Sequence, residues 1–281
     1  MKITIAKDAG YCFGVRDAVN LAYDTAEKYG SVYMLGDIVH NEQVVDDLEK
    51  AGAKVVSDIS EVPDDSPVLF RAHGTKNDLW KEAKKRRLNK IDATCPLVHE
   101  IHREVKHLEE EGRKIIIIGD HGHDEVVAIA DQVKKPLIIS SKAEAETMRR
   151  TKRAGIVSQS TQMIENVQEI INVVMSKVYD LRFVNTICFP TKRNHEQIKD
   201  MAIQNDIMLI IGSFTSANSK RLTELSKQRN EKSYQVTCAD DLDLNWFNNV
   251  ETVGISAGAS TPDYLIEEVK NKIEIISKGE I

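Results

Sequence analysis

Short apolar runs alternate with amphipathic stretches along the whole chain. Residues 2–6, 31–35, 67–71, 114–118, 136–139, 154–157, 181–185, 206–211, 233–237 and 252–255 are rich in Ile and Val and bounded by turn residues, so they are expected to be strands. Ile115–Ile118 and Ile207–Ile211 are nearly unbroken apolar runs, the pattern of strands covered on both faces. Between the strands, apolar positions recur at helical spacing. In 14–29, Val15, Ala18, Val19, Ala22, Ala26 and Tyr29 form one stripe. Asn41–Ala51 stops at Gly52, and Pro96–Glu111 has proline at its first helical position and Gly112 past its end. Further helices are expected over 76–87, 123–132, 142–150, 161–177, 191–204, 216–229 and 261–277. Strand and helix alternating this regularly imply α/β layers with mostly parallel sheets. The one loose stretch is Ser60–Pro67, which carries two prolines and several acids.

Composition narrows the class. The 281 residues exceed one typical domain, 29% are charged, and only 5% are aromatic, as expected of a soluble, helix-rich protein. A net charge of −6 argues against nucleic acid as a partner. Met1–Ala6 is too short for a signal peptide and runs straight into Lys7 and Asp8. No apolar run is long enough to cross a membrane. A cytoplasmic protein is therefore expected. Four cysteines are too few for a disulfide scaffold.

The placement of three of those cysteines is more informative. Cys12, Cys95 and Cys188 cut the chain into nearly equal thirds. Each follows an Asp or Asn by three or four residues, in Asp8-Ala-Gly-Tyr-Cys12, Asp92-Ala-Thr-Cys95 and Asn185-Thr-Ile-Cys188. A Gly or Pro that sets up a helix start comes just after each. A helix N-terminus lowers a thiol pKa and suits a metal ligand. The arrangement reads as a weak threefold repeat, each unit giving one ligand to a shared centre. Single, widely spaced thiols suit an iron–sulfur cluster better than structural zinc, which takes closely paired ligands. The plainer alternative is three buried structural cysteines. Cys238, followed by Ala239-Asp240-Asp241, lacks the pattern and reads as a buried strand-end thiol.

Histidines fall just beyond expected strands: His40 after Gly36-Asp-Ile-Val, His73 in Arg71-Ala-His73-Gly74, and His123 in Gly119-Asp-His-Gly-His123-Asp-Glu125. Ligands of open α/β sheets bind beyond the carboxyl ends of strands, where imidazoles and helix starts suit an anion. The clusters Ser158-Gln-Ser160-Thr161, Gly212-Ser-Phe-Thr-Ser216-Ala217-Asn218-Ser219 and Gly258-Ala-Ser260-Thr-Pro262 lie in similar positions and serve equally as phosphate donors or helix caps. His99 and His102 miss the zinc-protease spacing and read as a solvated helix face. The basic run Lys81, Lys84, Lys85, Arg86, Arg87 and Lys90 also reads as a solvated face, or else as a dock for an acidic electron carrier.

Taken together, these residues resemble a known family, 4-hydroxy-3-methylbut-2-enyl diphosphate reductase, the last enzyme of the non-mevalonate isoprenoid pathway. The resemblance covers essentially the whole chain. It runs from Gly10-Tyr-Cys12-Phe-Gly-Val-Arg16 through the His40 and His73 loops, Ala93-Thr-Cys95-Pro96, Gly122-His123-x-Glu125, Thr186-Ile-Cys188 and Ser216-x-Asn218 to Gly258-Ala-Ser260-x-Pro262. It implies a trefoil of three pseudo-threefold-related α/β modules around a central 4Fe-4S cluster held by Cys12, Cys95 and Cys188. The modules would span 13–95, 96–187 and 188–281, with the N-terminal strand 1–12 near the centre. It further implies that His40, His73, His123, Ser216, Asn218 and Ser260 bind the substrate, mostly its diphosphate. Glu125 would be the proton donor, with Ser160 and Thr161 near the substrate hydroxyl.

The implied reaction removes that allylic hydroxyl with two electrons and two protons, giving isopentenyl or dimethylallyl diphosphate through a cluster with one open iron. Electrons would come from a ferredoxin- or flavodoxin-like partner. Three positions depart from the family pattern. Ser160 replaces a threonine, Ala217 replaces a serine, and Pro190-Thr191 with Lys192–Gln197 replaces the usual stretch after the third cysteine. The rivals are a quinolinate-synthase-like iron–sulfur dehydratase acting on a dicarboxylate, and a non-enzymatic iron–sulfur sensor. No helix-turn-helix or basic tail supports the sensor.

Overall fold

The structure is a computed structural model and describes residues 1–279. Within them are three separate four-stranded sheets, every strand pairing in parallel. The first holds β2 (Val32–Leu35), β3 (Ala53–Val56), β4 (Pro67–Phe70) and β5 (Asn89–Asp92) in the order β3-β2-β4-β5. The second holds β6 (Lys114–Ile118), β7 (Leu137–Ile139), β8 (Thr151–Ser158) and β9 (Val178–Phe183) in the order β7-β6-β8-β9. The third holds β10 (Ile207–Ile211), β11 (Ser233–Val236) and β12 (Thr252–Ala257), and its fourth place is taken by β1 (Lys2–Ile5), in the order β11-β10-β12-β1. Each sheet therefore reads second, first, third, fourth. In the third sheet the N-terminal strand supplies the fourth position.

Ten helices fill the connections: α1 (Phe13–Tyr29), α2 (Glu42–Lys50), α3 (Asn77–Lys85), α4 (Pro96–Glu110), α5 (Asp124–Ala130), α6 (Lys142–Thr147), α7 (Ile164–Met175), α8 (Phe189–Gln204), α9 (Ala217–Lys227) and α10 (Asp263–Lys278). The chain forms two compact units. One comprises Met1–Arg16, His40–Asp46 and the chain from Phe189 onward, and it contains the third sheet. The other comprises Asp17–Val39 and Asp47–Cys188, and it contains the first two sheets. Among the described residues no helix is long and apolar enough to cross a membrane.

Burial explains the unbroken apolar strands. In β6, Ile116 and Ile118 pack with Val167, Ile170 and Val174 of α7, while Ile115 and Ile117 pack with Ile101, Val105 and Leu108 of α4. Alternate side chains point to opposite faces, so a strand covered on both sides is apolar throughout. In the third sheet, Ile207, Leu209 and Ile211 share one core with Leu265, Val269 and Ile273 of α10.

All ten helices lie where helical spacing places them. Two strands, β3 and β5, were not expected from the pattern. β5 is an edge strand of sequence Asn-Lys-Ile-Asp with largely exposed side chains, so no apolar run marks it. β9 begins at Val178 and ends at Phe183, earlier than the expected 181–185. The stretch expected to be loose is partly ordered. Asp58 and Glu61 form a capping box around a 3-10 turn, Ile59–Glu61. Arg86 holds this segment through the carbonyls of Ile59 and Val62 and the carboxylate of Asp64. Arg86 thus leaves the basic run, whose other members are exposed. Its charge is used structurally.

Gly155 of β8 faces α4 so closely that an added Cβ would lie 2.9 Å from the Cβ of Leu108. Gly155→Ala should destabilise the protein by about 1–3 kcal/mol through overpacking. A denaturant titration of both proteins checks this, and an unchanged midpoint would show that the helix yields freely.

Candidate active site

Each sheet ends in the same backbone pattern. The first strand is followed by a glycine, Gly36, Gly119 or Gly212, whose N–H donates to the last residue of the second strand, Val56, Ile139 or Val236, at 2.9, 3.1 and 2.9 Å. After the fourth strand comes the cysteine. The N–H of Cys95 donates to Ala72 O at 3.0 Å, that of Cys188 to Ser160 O at 2.9 Å, and that of Cys12 to Ala259 O at 3.3 Å. In every case the acceptor is the second residue past the third strand. The next residue opens a helix: α1, α4 or α8. The three thiols are half-buried at helix N-termini, where the peptide dipoles favour a thiolate. Asp92 and Asn185 each accept from the N–H two residues on, Thr94 and Ile187, an Asx turn that sets the approach to the cysteine. Asp8 instead exchanges hydrogen bonds with Gln197 of α8.

In the unit carrying the first two sheets, His123 caps α5, and its Nδ1 accepts from the N–H of Glu125 at 3.2 Å. That bond puts the neutral ring's proton on Nε2. Glu125 is 2% exposed. Its carboxylate accepts from Ser160 N–H at 2.6 Å and Ser160 Oγ–H at 2.7 Å. The His73 ring stands edge-on to His123, centroids 5.7 Å apart. Gln159, fully buried, accepts from Asp120 N–H and donates to Thr161 Oγ1.

In the other unit, Ser216 caps α9 by accepting from Ser219 N–H. Ser260 Oγ donates to the carbonyl of His40 at 3.0 Å. Asn218 is 6% exposed, with neither side-chain atom hydrogen-bonded. Glu42 accepts from Ser213 and Thr215. Burial pushes its carboxyl up, but hydrogen bonds from its own backbone amide and from those two hydroxyls bring it below the usual carboxylate range.

Among the described residues, no group of three or more His, Cys, Asp or Glu side chains gathers to hold a metal ion. A single ion draws its ligands to one point, whereas the thiolates of an iron–sulfur cluster each bind a different iron. Three half-buried thiols at helix starts have the donor chemistry of the latter. Cys238 is half-buried rather than buried. It begins a 3-10 turn and lines a surface cleft with Asp240, Glu268 and Lys272.

Comparison with known proteins decides the family, because the LytB protein model matches residues 3–274. The chain belongs to the LytB family. It is 38% identical to 4-hydroxy-3-methylbut-2-enyl diphosphate reductase of Geotalea uraniireducens, with 99% of each chain covered. It is also 38% identical to the reductase of that name from Geobacter sulfurreducens, covering 98% of this chain and 97% of that one. Among solved structures it is similar to E-1-hydroxy-2-methyl-but-2-enyl-4-diphosphate reductase of Plasmodium falciparum, with TM-score 0.92 and 27% identity over 98% of this chain and 87% of that one. A second, described as (E)-4-hydroxy-3-methyl-but-2-enyl diphosphate reductase, the terminal enzyme of the non-mevalonate pathway, gives TM-score 0.71 and 37% identity over 97% and 99%.

Two of the departures from the LytB pattern now have a structural account. Ser160 keeps the hydroxyl that meets Glu125. After Cys188 there is no irregular loop, because α8 starts at Phe189 and accommodates Pro190 in its first turn, where proline costs no hydrogen bond. Asn194 of that helix donates to Ala257 O and accepts from Ser256 Oγ, tying α8 to the end of β12. Nothing in the structure compensates for Ala217. Sequence reasoning did not single out Glu42, the first residue of α2, or Asn194, within α8, since a single polar residue on a helix has no periodic signature.

His102 is a correction. It is 9% exposed rather than solvated, its Nε2 has no hydrogen-bond partner, and it packs against Gly74. Burial, helped by the charges of His99 and Lys106, pushes its pKa down to about 4. The unfolded chain takes up this proton near pH 6.5, the folded chain only near 4, so the stability is complete above about pH 6.5 and is lost as pH falls towards 4. Denaturant midpoints between pH 7 and pH 4.5 should fall more steeply for wild type than for His102→Leu, by roughly 2–3 kcal/mol. Parallel pH profiles would refute this.

Proposed function

We propose that this LytB-family chain is a 4-hydroxy-3-methylbut-2-enyl diphosphate reductase, removing the allylic hydroxyl with two electrons and two protons to give isopentenyl and dimethylallyl diphosphate. What carries the reading is that its three cysteines hold one register in three modules of a chain similar over its whole length to reductases of that substrate. Cys12, Cys95 and Cys188, each following the fourth strand of one of the three sheets, would hold one 4Fe-4S cluster. When bound, such a cluster supplies electrons and an open iron that acts as a Lewis acid on the substrate hydroxyl.

The chain's own residues do the rest. Histidines 40, 73 and 123, with Ser216, Asn218 and Ser260, bind the diphosphate, so binding at the non-reacting end orients the reacting carbon. His123 offers its Nε2–H because Nδ1 is engaged by Glu125 N–H. The unpartnered, buried amide of Asn218 supports a role in receiving a polar ligand.

Glu125 and Ser160 handle the proton. In the structure the serine hydroxyl donates to the carboxylate. Once Glu125 is protonated, that bond can reverse. The carboxyl then donates to Ser160 Oγ, and the serine's own proton turns to the substrate hydroxyl. Thr161, fixed by Gln159, borders the same position. Electrons come from a ferredoxin- or flavodoxin-like protein, in a cytoplasmic setting that keeps the thiols reduced.

Glu125→Gln removes the transferable proton but keeps the shape. It should assemble a normal cluster and turn over roughly 10²–10⁴-fold more slowly. Turnover per intact cluster decides the matter, and a near wild-type rate would remove Glu125 from proton transfer. For the cluster, anaerobically purified Cys95→Ser should lose iron and activity while Cys238→Ser keeps both. Full iron content and turnover in Cys95→Ser would overturn the ligand assignment.

A further inference from the structure

We infer that Arg71 and Asp124 are a charge-cancelling pair that sets diphosphate affinity, an inference that rests on His73 and His123 binding that group. Arg71 is the first residue after β4, two before His73. Asp124 is the first residue of α5, between His123 and Glu125. Arg71 Nη1 donates to Asp124 Oδ2 at 2.5 Å, and the side chains are 26% and 28% exposed. The bond thus links the loop of one sheet to the helix start of the next, beside the two imidazoles. The guanidinium lies over Gly36, whose φ is +73°, and a Cβ there would sit 3.0 Å from Nη1. A cavity of about 260 Å³ adjoins the pair, bounded by Leu35, Lys76, Leu79 and Val127, so neither charge is buried beyond reach of solvent.

The pair has an electrostatic consequence. Asp124 suits a helix N-terminus on its own, because a carboxylate there complements the dipole. The same carboxylate, next to His123, would repel an incoming diphosphate. Arg71 neutralises it and holds it on the side of the His73 loop. An uncancelled charge within about 8 Å, at an effective dielectric near 20, weakens binding of one negative charge by roughly 10–30-fold, and salt reduces the effect. Neither residue is placed against the reacting carbon, so both are positioning residues.

The test uses anaerobic holoenzyme, with steady-state kinetics beside calorimetric binding of inorganic diphosphate. Arg71→Gln should raise the KM and the diphosphate Kd about tenfold or more, with the smaller part of the change in kcat. Higher ionic strength should narrow that gap. Arg71→Lys, which keeps the charge, should bind nearly as wild type. Asp124→Asn should bind inorganic diphosphate at least as tightly as wild type, and Arg71→Gln/Asp124→Asn should recover most of the affinity lost in Arg71→Gln. A bond that only braces the two loops gives the opposite pattern, with the double variant no better than Arg71→Gln and Arg71→Lys as impaired. That pattern, or unchanged affinity in Arg71→Gln, overturns the inference. His73→Ala and His123→Ala test the parent assignment separately. If both bind inorganic diphosphate as wild type does, the histidine assignment falls and the inference with it, whereas impaired histidine variants beside an unimpaired Arg71→Gln overturn the pair alone.

Discussion

One backbone hydrogen bond recurs at the carboxyl end of each sheet: a cysteine N–H bound to the carbonyl two residues past the third strand. It closes the gap between the loop after the third strand and the helix after the fourth. Because both partners are main-chain groups, the link constrains the path of the chain without using a side chain. It also explains how loops of different sequence serve the same place. Ala72 and Ala259 carry only a methyl and Ser160 a hydroxyl, and each presents the same carbonyl. In the second sheet the acceptor residue also carries a hydroxyl, so Ser160 positions Cys188 with its backbone O while it meets Glu125 with its N–H and Oγ. One residue thereby links the backbone at Cys188 to the buried carboxylate of Glu125.

The loops around these junctions are packed as tightly as a core, but with polar atoms. An added Cβ at Gly212 or Gly258 would lie 2.2 or 2.1 Å from Ser219 Oγ, so the two loops of the third sheet approach across one serine of α9. In the second sheet a Cβ at Gly119 would lie 2.5 Å from Val126 Cγ2, again the third residue of the helix after the first strand. Dense packing of this kind holds donors in place before a ligand arrives, which is how a binding site avoids reorganisation on binding. It carries a cost. An unsatisfied buried group such as the Asn218 amide destabilises a fold by roughly 1–3 kcal/mol.

What could be read from the chain follows from which features are periodic. Helices and central strands repeat their apolar residues every 3.6 or 2 positions, and all ten helices were legible for that reason. The edge strand β5 buries too little to leave a pattern. The cysteines were legible as a repeat because a helix start leaves its own signature of Gly, Pro or a turn residue. The glycines Gly36, Gly119 and Gly212, which follow the first strand of every sheet, carry the same threefold signal, but a single glycine after a strand is too ordinary to mark a repeat. His102 was misread for a physical reason. Its exposure is set by Gly74, far away in sequence, which leaves room for an imidazole where any side chain would collide. Arg86 and Arg71 look alike as charges in a string of letters. Arg86 holds backbone carbonyls and Asp64, Arg71 holds a carboxylate beside the candidate site, and tertiary contacts alone separate them.

The three cysteines are equivalent in register but not in the contacts that bring them there. Cys95 follows β5, which pairs with β4, and Cys188 follows β9, which pairs with β8. Both are neighbours in the chain. Cys12 follows β1, whose partner is β12, near the opposite end of the sequence, with Lys2 opposite Thr252 and Ile5 opposite Ile255. Closing so long a loop costs more chain entropy than closing a βαβ unit, though only logarithmically more. β1 is an edge strand of four residues, so the contacts that repay that entropy are few. Side chains from elsewhere in the unit assist: Gln197 and Arg193 of α8 bind Asp8, and Arg16 binds Asp263 of α10. Placement of Cys12 therefore depends on the third sheet being complete, whereas Cys95 and Cys188 are set by pairings local to their own sheets. A repeat that is symmetric in its backbone pattern is, in this respect, asymmetric in its energetics, and its first cysteine in sequence rests on the most distant strand pairing among the described residues.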